Sequence, residues 1–411
     1  MANTLLSTSV IAREAIMQLE NNLVLSKRVF RGYEEDIKDQ YKGNKPGGTI
    51  SIRRPVQYTV REGSVAQVQD TIEGKTTITI DTQQGVDMSF SSKDMTLTIG
   101  EFSERYIKPA MIQLANKIDV SVQGLYKDVW NWAGTPSGFV NSHSDFQKAP
   151  TLLNNGAVPM DGRYACLTPD DHAALVGSLT SVYVEGIAGQ AIREDKLPRV
   201  AGIPIEMSQN VLTHTVGAHG GTPKVDSTQS TTYAASKDTN TMTLVTDGWS
   251  TSVGLKKGDV FTIDGVYAVN PVSKATLTYL QQFVITEDVT TASNASNDTE
   301  ITISPPIITS GAYQTVSAAA VNDVDINYMG TASTGYAQNL VFRRDAFALA
   351  MIPMELPQGA VVKERRTKNG FSIRMTGAYD INNDNDIFRF DVLYGVKTID
   401  PRQACRLSGS S

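Results

Sequence analysis

From Ile107 to Trp132 the apolar residues Ile107, Met111, Leu114, Ile118, Val122, Leu125, Val129 and Trp132 follow one another at steps of three and four. Only an α-helix turns that spacing into one stripe. The expectation is a single amphipathic spine helix over residues 102–132, about 45 Å long at 1.5 Å per residue. Pro109 interrupts the pattern. It is read as a restart with the proline in the first turn, after a short lead-in capped by Ser103. Gly124 inside the stripe points to a neighbour packed closely against the backbone.

Elsewhere the period changes. Val10, Ile11, Ile16, Leu19, Leu23 and Val24 recur near helical spacing in an N-terminal arm. From Thr49 the alternation is two: Ile50 and Ile52, then Ile78 and Ile80, then Val86, Met88 and Phe90, the pattern of β-strands. Between these strands, residues 61–75 are polar and glycine-punctuated, so a long two-stranded projection with a flexible tip is expected. Tyr164 to Leu167 is a short buried strand, and Thr168-Pro169-Asp170-Asp171 opens a helix with a cap, a first-turn proline and two acids at the positive end of the dipole. Short strands are expected at residues 241–245, 260–263, 282–285 and 300–303, an all-β barrel or sandwich. Near the end, Lys368-Asn369-Gly370 separates two alternating runs, and Asn-Gly is a strong hairpin turn. The last strand is placed at residues 387–396.

Composition sharpens the outline. The chain has 411 residues and two cysteines. That is more length than one core usually serves, and too few cysteines for a disulfide framework. Glu14 and Glu20 break the first residues, so neither a signal peptide nor a membrane span is expected. The formal net charge of −6 argues against a nucleic-acid-gripping domain. Its distribution says more. Residues 220–330 hold 11 acidic against 5 basic residues and no arginine, and the rest of the chain holds 32 of each sign. One segment carries the whole imbalance and reads as an insertion.

Motifs for chemistry are missing. There is no phosphate-binding loop ending in Lys-Ser/Thr, no His-Glu-x-x-His and no Gly-x-Ser-x-Gly, so no catalytic, cofactor or metal residue is assigned. His143, His172, His214 and His219 are scattered, and the acids before His172 are accounted for by the helix cap. Asp380, Asn382, Asp384, Asp386 and Asp391 loosely follow calcium-loop spacing, but Asn385 replaces the required glycine and Asp391 the final glutamate. An Asx-rich turn between strands is the expectation. The remaining clusters are basic: Arg53, Arg54 and Arg61 on the projection, and Lys363, Arg365, Arg366 and Lys368 on the late hairpin. Arg53, Arg54, Arg61, Lys363, Arg365 and Arg366 are candidate intersubunit contacts, because charge left unpaired in an interface is costly.

The order of parts resembles a tailed-bacteriophage major capsid protein of the Hong Kong 97 (Johnson) fold. Leu340-Val341-Phe342-Arg343-Arg344-Asp345-Ala346-Phe347 resembles a late strand and apolar turn of these shells, and residues 392–401, Val-Leu-Tyr-Gly-Val-Lys-Thr-Ile-Asp-Pro, resemble their closing strand. Residues 254–265, Gly-Leu-Lys-Lys-Gly-Asp-Val-Phe-Thr-Ile-Asp-Gly, resemble the inserted domain of the Salmonella short-tailed-phage coat protein family. The resemblance implies an α+β fold with an N-terminal arm over 1–48 and an extended E-loop over 49–95. It further implies a peripheral domain with the spine helix over 96–135 and an axial domain over 136–219. A telokin-like β-barrel would then be inserted at 220–330, and the axial and peripheral parts would resume over 331–411.

The same resemblance implies a coat protein without enzymatic activity or cofactor. It would assemble with itself into hexamers and pentamers, in the bacterial host cytoplasm. Scaffolding, portal and decoration proteins are the implied partners, and the shell would hold double-stranded DNA without sequence-specific binding. Two alternatives stand beside it: a cellular nanocompartment shell of the same fold, and a β-rich surface or carbohydrate-binding protein.

Overall fold

The structure, a computed structural model, describes residues 8–32, 49–61, 63–66, 68–91, 106–180, 197, 199–294, 297–360 and 362–409. The chain forms two compact units. The first comprises Met1–Ile50, Thr77–Gln123 and Phe347–Lys397, and the second Ser51–Thr76, Gly124–Ala346 and Thr398–Ser411.

In the first unit the spine is an α-helix over Lys108–Gln123, about 24 Å long. Pro109 occupies its first turn, where a missing N–H costs nothing. The expected Ser103 cap lies outside the described residues. Met111, Leu114, Ile118 and Val122 are buried, as the periodicity requires. The helix is shorter than expected, because at Gly124 the chain tightens into a 3₁₀ turn over Gly124–Asp128. That turn advances three residues per revolution instead of 3.6, so the stripe slips by one position. Tyr126 is buried in place of Leu125. No atom approaches within 4 Å of a Cβ built on Gly124, so the glycine marks the change of helix type and no close neighbour.

The buried face of the spine also carries Asp119, 1% exposed. Its carboxylate accepts from the Val24 amide at 2.8 Å, the Ser26 amide at 3.0 Å and the Ser26 hydroxyl at 2.5 Å. Burial pushes its pKa up, with the Ser26 hydroxyl and the amides pulling back. The partners lie just past the N-terminal helix Thr8–Asn22. Ile11, Ala12, Ala15, Ile16 and Leu19 of that helix are buried.

The sheet of this unit runs Phe347–Met351, Asn385–Thr398, Phe371–Asp380, Val362–Lys368, and Thr82–Ser91 pairs with Asn385–Thr398. Asn369 and Gly370 both have positive φ, 50° and 80°, the signature of a type I′ turn. Lys368 and Phe371 are accordingly partners. The Asx-rich run is a turn: Asp380 accepts from the Asn382 amide at 3.0 Å and from Asn383 at 2.7 Å.

Among the described residues the second unit holds two large sheets, with two-stranded pairs beside them. The mixed sheet runs Trp132–Ala133, Ala404–Leu407, Asn339–Arg343, Arg163–Leu167, Ile205–Met207. Placing the last strand at residues 387–396 is therefore wrong by one element. Ala404–Leu407 sits inside this sheet, parallel to Trp132–Ala133 and antiparallel to Asn339–Arg343. At four residues with an arginine in third place, it shows no run that periodicity could register. Helices His143–Asn155 and Pro169–Thr180 supply Phe146, Ala149, Leu153 and Leu175 to one core with Ala165, Leu167, Val341, Cys405 and Leu407. The start of the second helix is capped by the Thr168 side chain. The Thr168 hydroxyl accepts from the Asp171 amide at 3.1 Å and donates to the Asp171 carboxylate at 2.6 Å.

The other sheet has six strands in the order Ile326–Tyr328, Val260–Val269, Thr276–Ile285, Thr299–Ser304, Met242–Trp249, Gly221–Val225. Its edges nearly close: Lys224 bridges Asp325, and the Val225 amide donates to the Val324 carbonyl at 3.0 Å. Closure removes the exposed edges of an open sheet. The core inside includes Val225, Leu244, Trp249, Phe261, Ile263, Phe283, Ile301, Ile303 and Ile326. Its residues all come from this one stretch of sequence.

Replacing Leu114 with Asp puts a charge on the buried face of the spine. The expected cost is above about 4 kcal/mol, read as loss of the cooperative urea transition, whereas Leu125→Asp, half-buried in the 3₁₀ turn, leaves that transition in place.

Candidate assembly surfaces and the junction of the inserted segment

The strands flanking the six-stranded sheet, Thr213–Thr215 and Gly335–Ala337, pair antiparallel, with His214 opposite Tyr336. Entry to and exit from the segment are thus side by side. The centre of this junction is Asp259, fully buried. Oδ1 accepts from His214 Nε2 at 2.9 Å and from the Gly217 amide at 3.1 Å. Oδ2 accepts from the Lys256 amide at 2.9 Å. Gly217 is required here, since a Cβ would lie 2.6 Å from Asp259 Oδ2 and 2.7 Å from the Gly254 carbonyl oxygen.

The relay continues outward from the imidazole. The Tyr126 hydroxyl lies 3.1 Å from His214 Nδ1. Because a carboxylate only accepts, the imidazole donates through Nε2 and accepts the hydrogen bond of the Tyr126 hydroxyl at Nδ1. Arg406 is the fourth member, buried and donating to the Gly258 carbonyl at 2.7 Å. Its guanidinium lies 5.3 Å from the Tyr126 ring and 5.5 Å from the Trp132 ring. Burial lowers its pKa to about 10, while Tyr126 and Asp259 counter the shift. Burial also lowers the His214 pKa, opposed by the Asp259 hydrogen bond and reinforced by the Arg406 and Lys127 charges. The Tyr126 pKa is raised by burial.

Apolar and amide contacts complete the junction. Trp130, Trp132, Val216, Val260, Val284 and Tyr336 form one cluster. Gln282 clasps Trp132 by both main-chain groups, accepting from its amide at 2.6 Å and donating to its carbonyl at 2.8 Å. No group of three or more His, Cys, Asp or Glu placed to hold a metal occurs among the described residues. Among those residues no helix is long and apolar enough to cross a membrane. His219 stacks on Tyr328 at 4.3 Å.

The six basic residues singled out in the sequence fall into two groups. Arg53 is exposed and paired with Glu73 at 3.3 Å. Arg54 donates to the Thr76 hydroxyl at 2.7 Å, and burial lowers its pKa. Arg61 is exposed and bonds the Gly63 carbonyl. On the strand Val362–Lys368, Lys363 donates to the Pro357 and Gln358 carbonyls at 3.3 and 3.2 Å and Arg365 to the Met354 carbonyl at 3.2 Å. Arg366 pairs with Glu364 at 3.0 Å. The expected two-stranded projection ends early. Thr49–Arg53 and Lys75–Thr79 pair, but the described residues between 54 and 74 form no strand. Tyr58, Val60, Val65 and Val68 there are 62%, 96%, 77% and 95% exposed.

Stability should respond to pH through His214. Its folded pKa is below the ordinary 6.5, so between those values the unfolded chain binds the extra proton and stability falls as pH falls. Urea midpoints measured at about pH 7 and about pH 5 should show a larger drop for the native chain than for His214→Gln; equal drops would remove the relay from the explanation.

No curated protein sequence matches the chain. Among solved structures, it is similar to one from Mycobacterium phage Che8 at 14% identity, covering 93% of this chain and 90% of that one with a TM-score of 0.49. It is also similar to the capsid of cyanophage P-SCSP1u at 11% identity, with 89% and 85% covered and a TM-score of 0.42. A virus-like particle from Pyrococcus furiosus matches at 9% identity, with 97% and 98% covered and a TM-score of 0.38. The assignment rests instead on the family model described as "P22 coat protein - gene protein 5", which matches residues 1–409. The chain belongs to the P22 coat protein family and is a major capsid protein of the virion, forming the icosahedral shell of a phage.

Proposed function

We propose that this subunit builds its shell through the loop of residues 54–74, which acts as an arm onto a neighbouring copy. The observation that carries the reading is the exposure of Tyr58, Val60, Val65 and Val68 on a segment whose described residues form no strand. Four large apolar side chains held in water at one tip are costly unless assembly covers them, each regaining about 1.5–3 kcal/mol on full burial. Closure of such contacts by symmetry makes a container from many modest interactions. Arg54 and Arg61 stand on the same loop and Arg53 ends the strand that leads into it, while Lys363, Arg365 and Arg366 present a second basic edge, so both groups are assigned as intersubunit contacts. The Glu73 beside Arg53 and the carbonyls held by Lys363 and Arg365 would then be exchanged for partners on the next subunit.

The shell is assigned double-stranded DNA as contents, held without sequence reading, with scaffolding and portal proteins as assembly partners and a decoration protein as a further one. The equal count of acidic and basic residues outside 220–330 suits a container that encloses DNA without gripping it. The role is structural and not enzymatic. Residues 220–330 form an inserted domain whose acidic surface projects from the shell. Asp247 stands beside Asp226, Asp323 and Asp298 there, and burial followed by those charges raises its pKa.

Two experiments bear on this. Val60, Val65 and Val68 replaced together by Ser should leave the subunit folded, with an unchanged urea midpoint, and abolish closed particles in electron micrographs; normal shells would reject the arm. Residues 220–330 expressed alone should give a dispersed amide spectrum and one cooperative melt, and a collapsed spectrum would show that the segment depends on its surroundings.

A further inference from the structure

The described residues of the 54–74 loop have few hydrogen bonds between the two legs and no strand ladder. Near its tip Gln69 exchanges two hydrogen bonds with Thr59, at 2.9 and 2.6 Å. At its root the Arg54 amide donates to the Gly74 carbonyl at 2.8 Å. Between these points the Tyr58 and Thr71 hydroxyls meet at 3.4 Å, and the backbone of the two legs is joined through a residue of the 220–330 segment in the same chain. The Tyr313 hydroxyl accepts from the Gln57 amide at 3.1 Å and donates to the Ile72 carbonyl at 3.2 Å. One oxygen thus stands in for a rung of the absent ladder, satisfying a backbone group on each leg.

The surrounding residues hold that oxygen in position. The Tyr313 ring stacks on Tyr233 with centroids 3.4 Å apart and planes 2° from parallel. Tyr233 opens the short helix Tyr233–Ser236. Just beyond it, Asp238 accepts from the Lys75 amide at 3.0 Å. Gly74 passes so close that a Cβ would lie 2.4 Å from the Lys237 carbonyl oxygen. The loop is therefore seated on the 233–238 and 313 surfaces at three successive points: its two legs at Tyr313, its returning leg at Lys237, and the start of the returning strand at Asp238.

We infer that Tyr313, supported by Tyr233 and Asp238, is a positioning residue for assembly, through which the 220–330 segment sets the direction of its own subunit's arm. The inference rests on the reading of residues 54–74 as that arm. An arm without a ladder of its own can swing about its root, and the angle at which it leaves the subunit decides where the next copy docks. Small changes in that angle repeat at every contact of a closed shell, so a loosened clamp gives a spread of particle sizes and shapes and not a uniform weakening.

Tyr313→Phe is the decisive variant, because it keeps the ring on Tyr233 and removes only the oxygen; Asp238→Ala removes the acceptor of the Lys75 amide and loosens the third point independently. In the unassembled full-length subunit, amide exchange at Gln57 should rise at least about tenfold in Tyr313→Phe, with an unchanged urea midpoint. On assembly the same variant should give mixed shells, tubes and open sheets where the native chain gives one size class. Unchanged exchange at Gln57 overturns the clamp. Faster exchange with a native particle-size distribution overturns the positioning role. Should the native chain itself form no particles, the arm reading fails, while the clamp still stands or falls on the Gln57 exchange.

Discussion

The second unit depends on one buried negative charge. A carboxylate with no exposure is tolerated only if hydrogen bonds replace its water, and Asp259 obtains them from three pieces of chain: His214, Gly217 and Lys256. Removing it would leave a buried amide and imidazole without an acceptor where the chain enters the six-stranded sheet. The Tyr126 hydroxyl and Arg406 extend the network into the 3₁₀ turn after the spine and into the last strand. Elements that are far apart in sequence therefore share one electrostatic centre. The apolar cluster around Trp132 and Val260 gives that centre its low dielectric surroundings.

This arrangement lets a coat subunit carry the six-stranded sheet between these strands without losing its mixed sheet. The paired strands Thr213–Thr215 and Gly335–Ala337 keep the two ends together, and the six-stranded sheet beyond them packs its own core. Its inward apolar residues are satisfied locally, so the mixed sheet has only to hold a stem. The stem is polar, and the Asp259 carboxylate at its centre accepts hydrogen bonds from His214, Gly217 and Lys256. Such bonds are directional, and they fix orientation where hydrophobic contact alone would permit sliding.

Asp119 plays the equivalent part in the first unit, binding two amides and a hydroxyl past the N-terminal helix. In both units a single acid on a buried face recruits a segment with no apolar stripe of its own. Membership of a coat protein family makes sense of the economy, because a subunit repeated through a shell needs each segment set at one angle. It also replaces the nanocompartment and carbohydrate-binding alternatives, which rested on fold analogy and strand content alone.

What the sequence determined by itself was local. The stripe of Met111, Leu114, Ile118 and Val122, the first-turn Pro109, the Thr168 cap, the Asn369-Gly370 turn and the strands of residues 220–330 each rest on spacing within a few residues, and backbone geometry then dictates the element. Tertiary structure decided the rest. Leu125 yields to Tyr126 because the Tyr126 hydroxyl has a partner 88 residues away in His214, information absent from any window around the helix. Asp259 stood within a motif that carried the family resemblance, yet nothing local distinguished it from an ordinary turn acid, since its imidazole partner lies 45 residues earlier. Ala404–Leu407 was invisible because four residues with a buried arginine show no period, and only the 148-residue step from Arg406 to Gly258 shows where that charge is satisfied. Periodicity records which face meets the core, whereas a polar hub is made by whichever distant donor and acceptor the fold brings within about 3 Å.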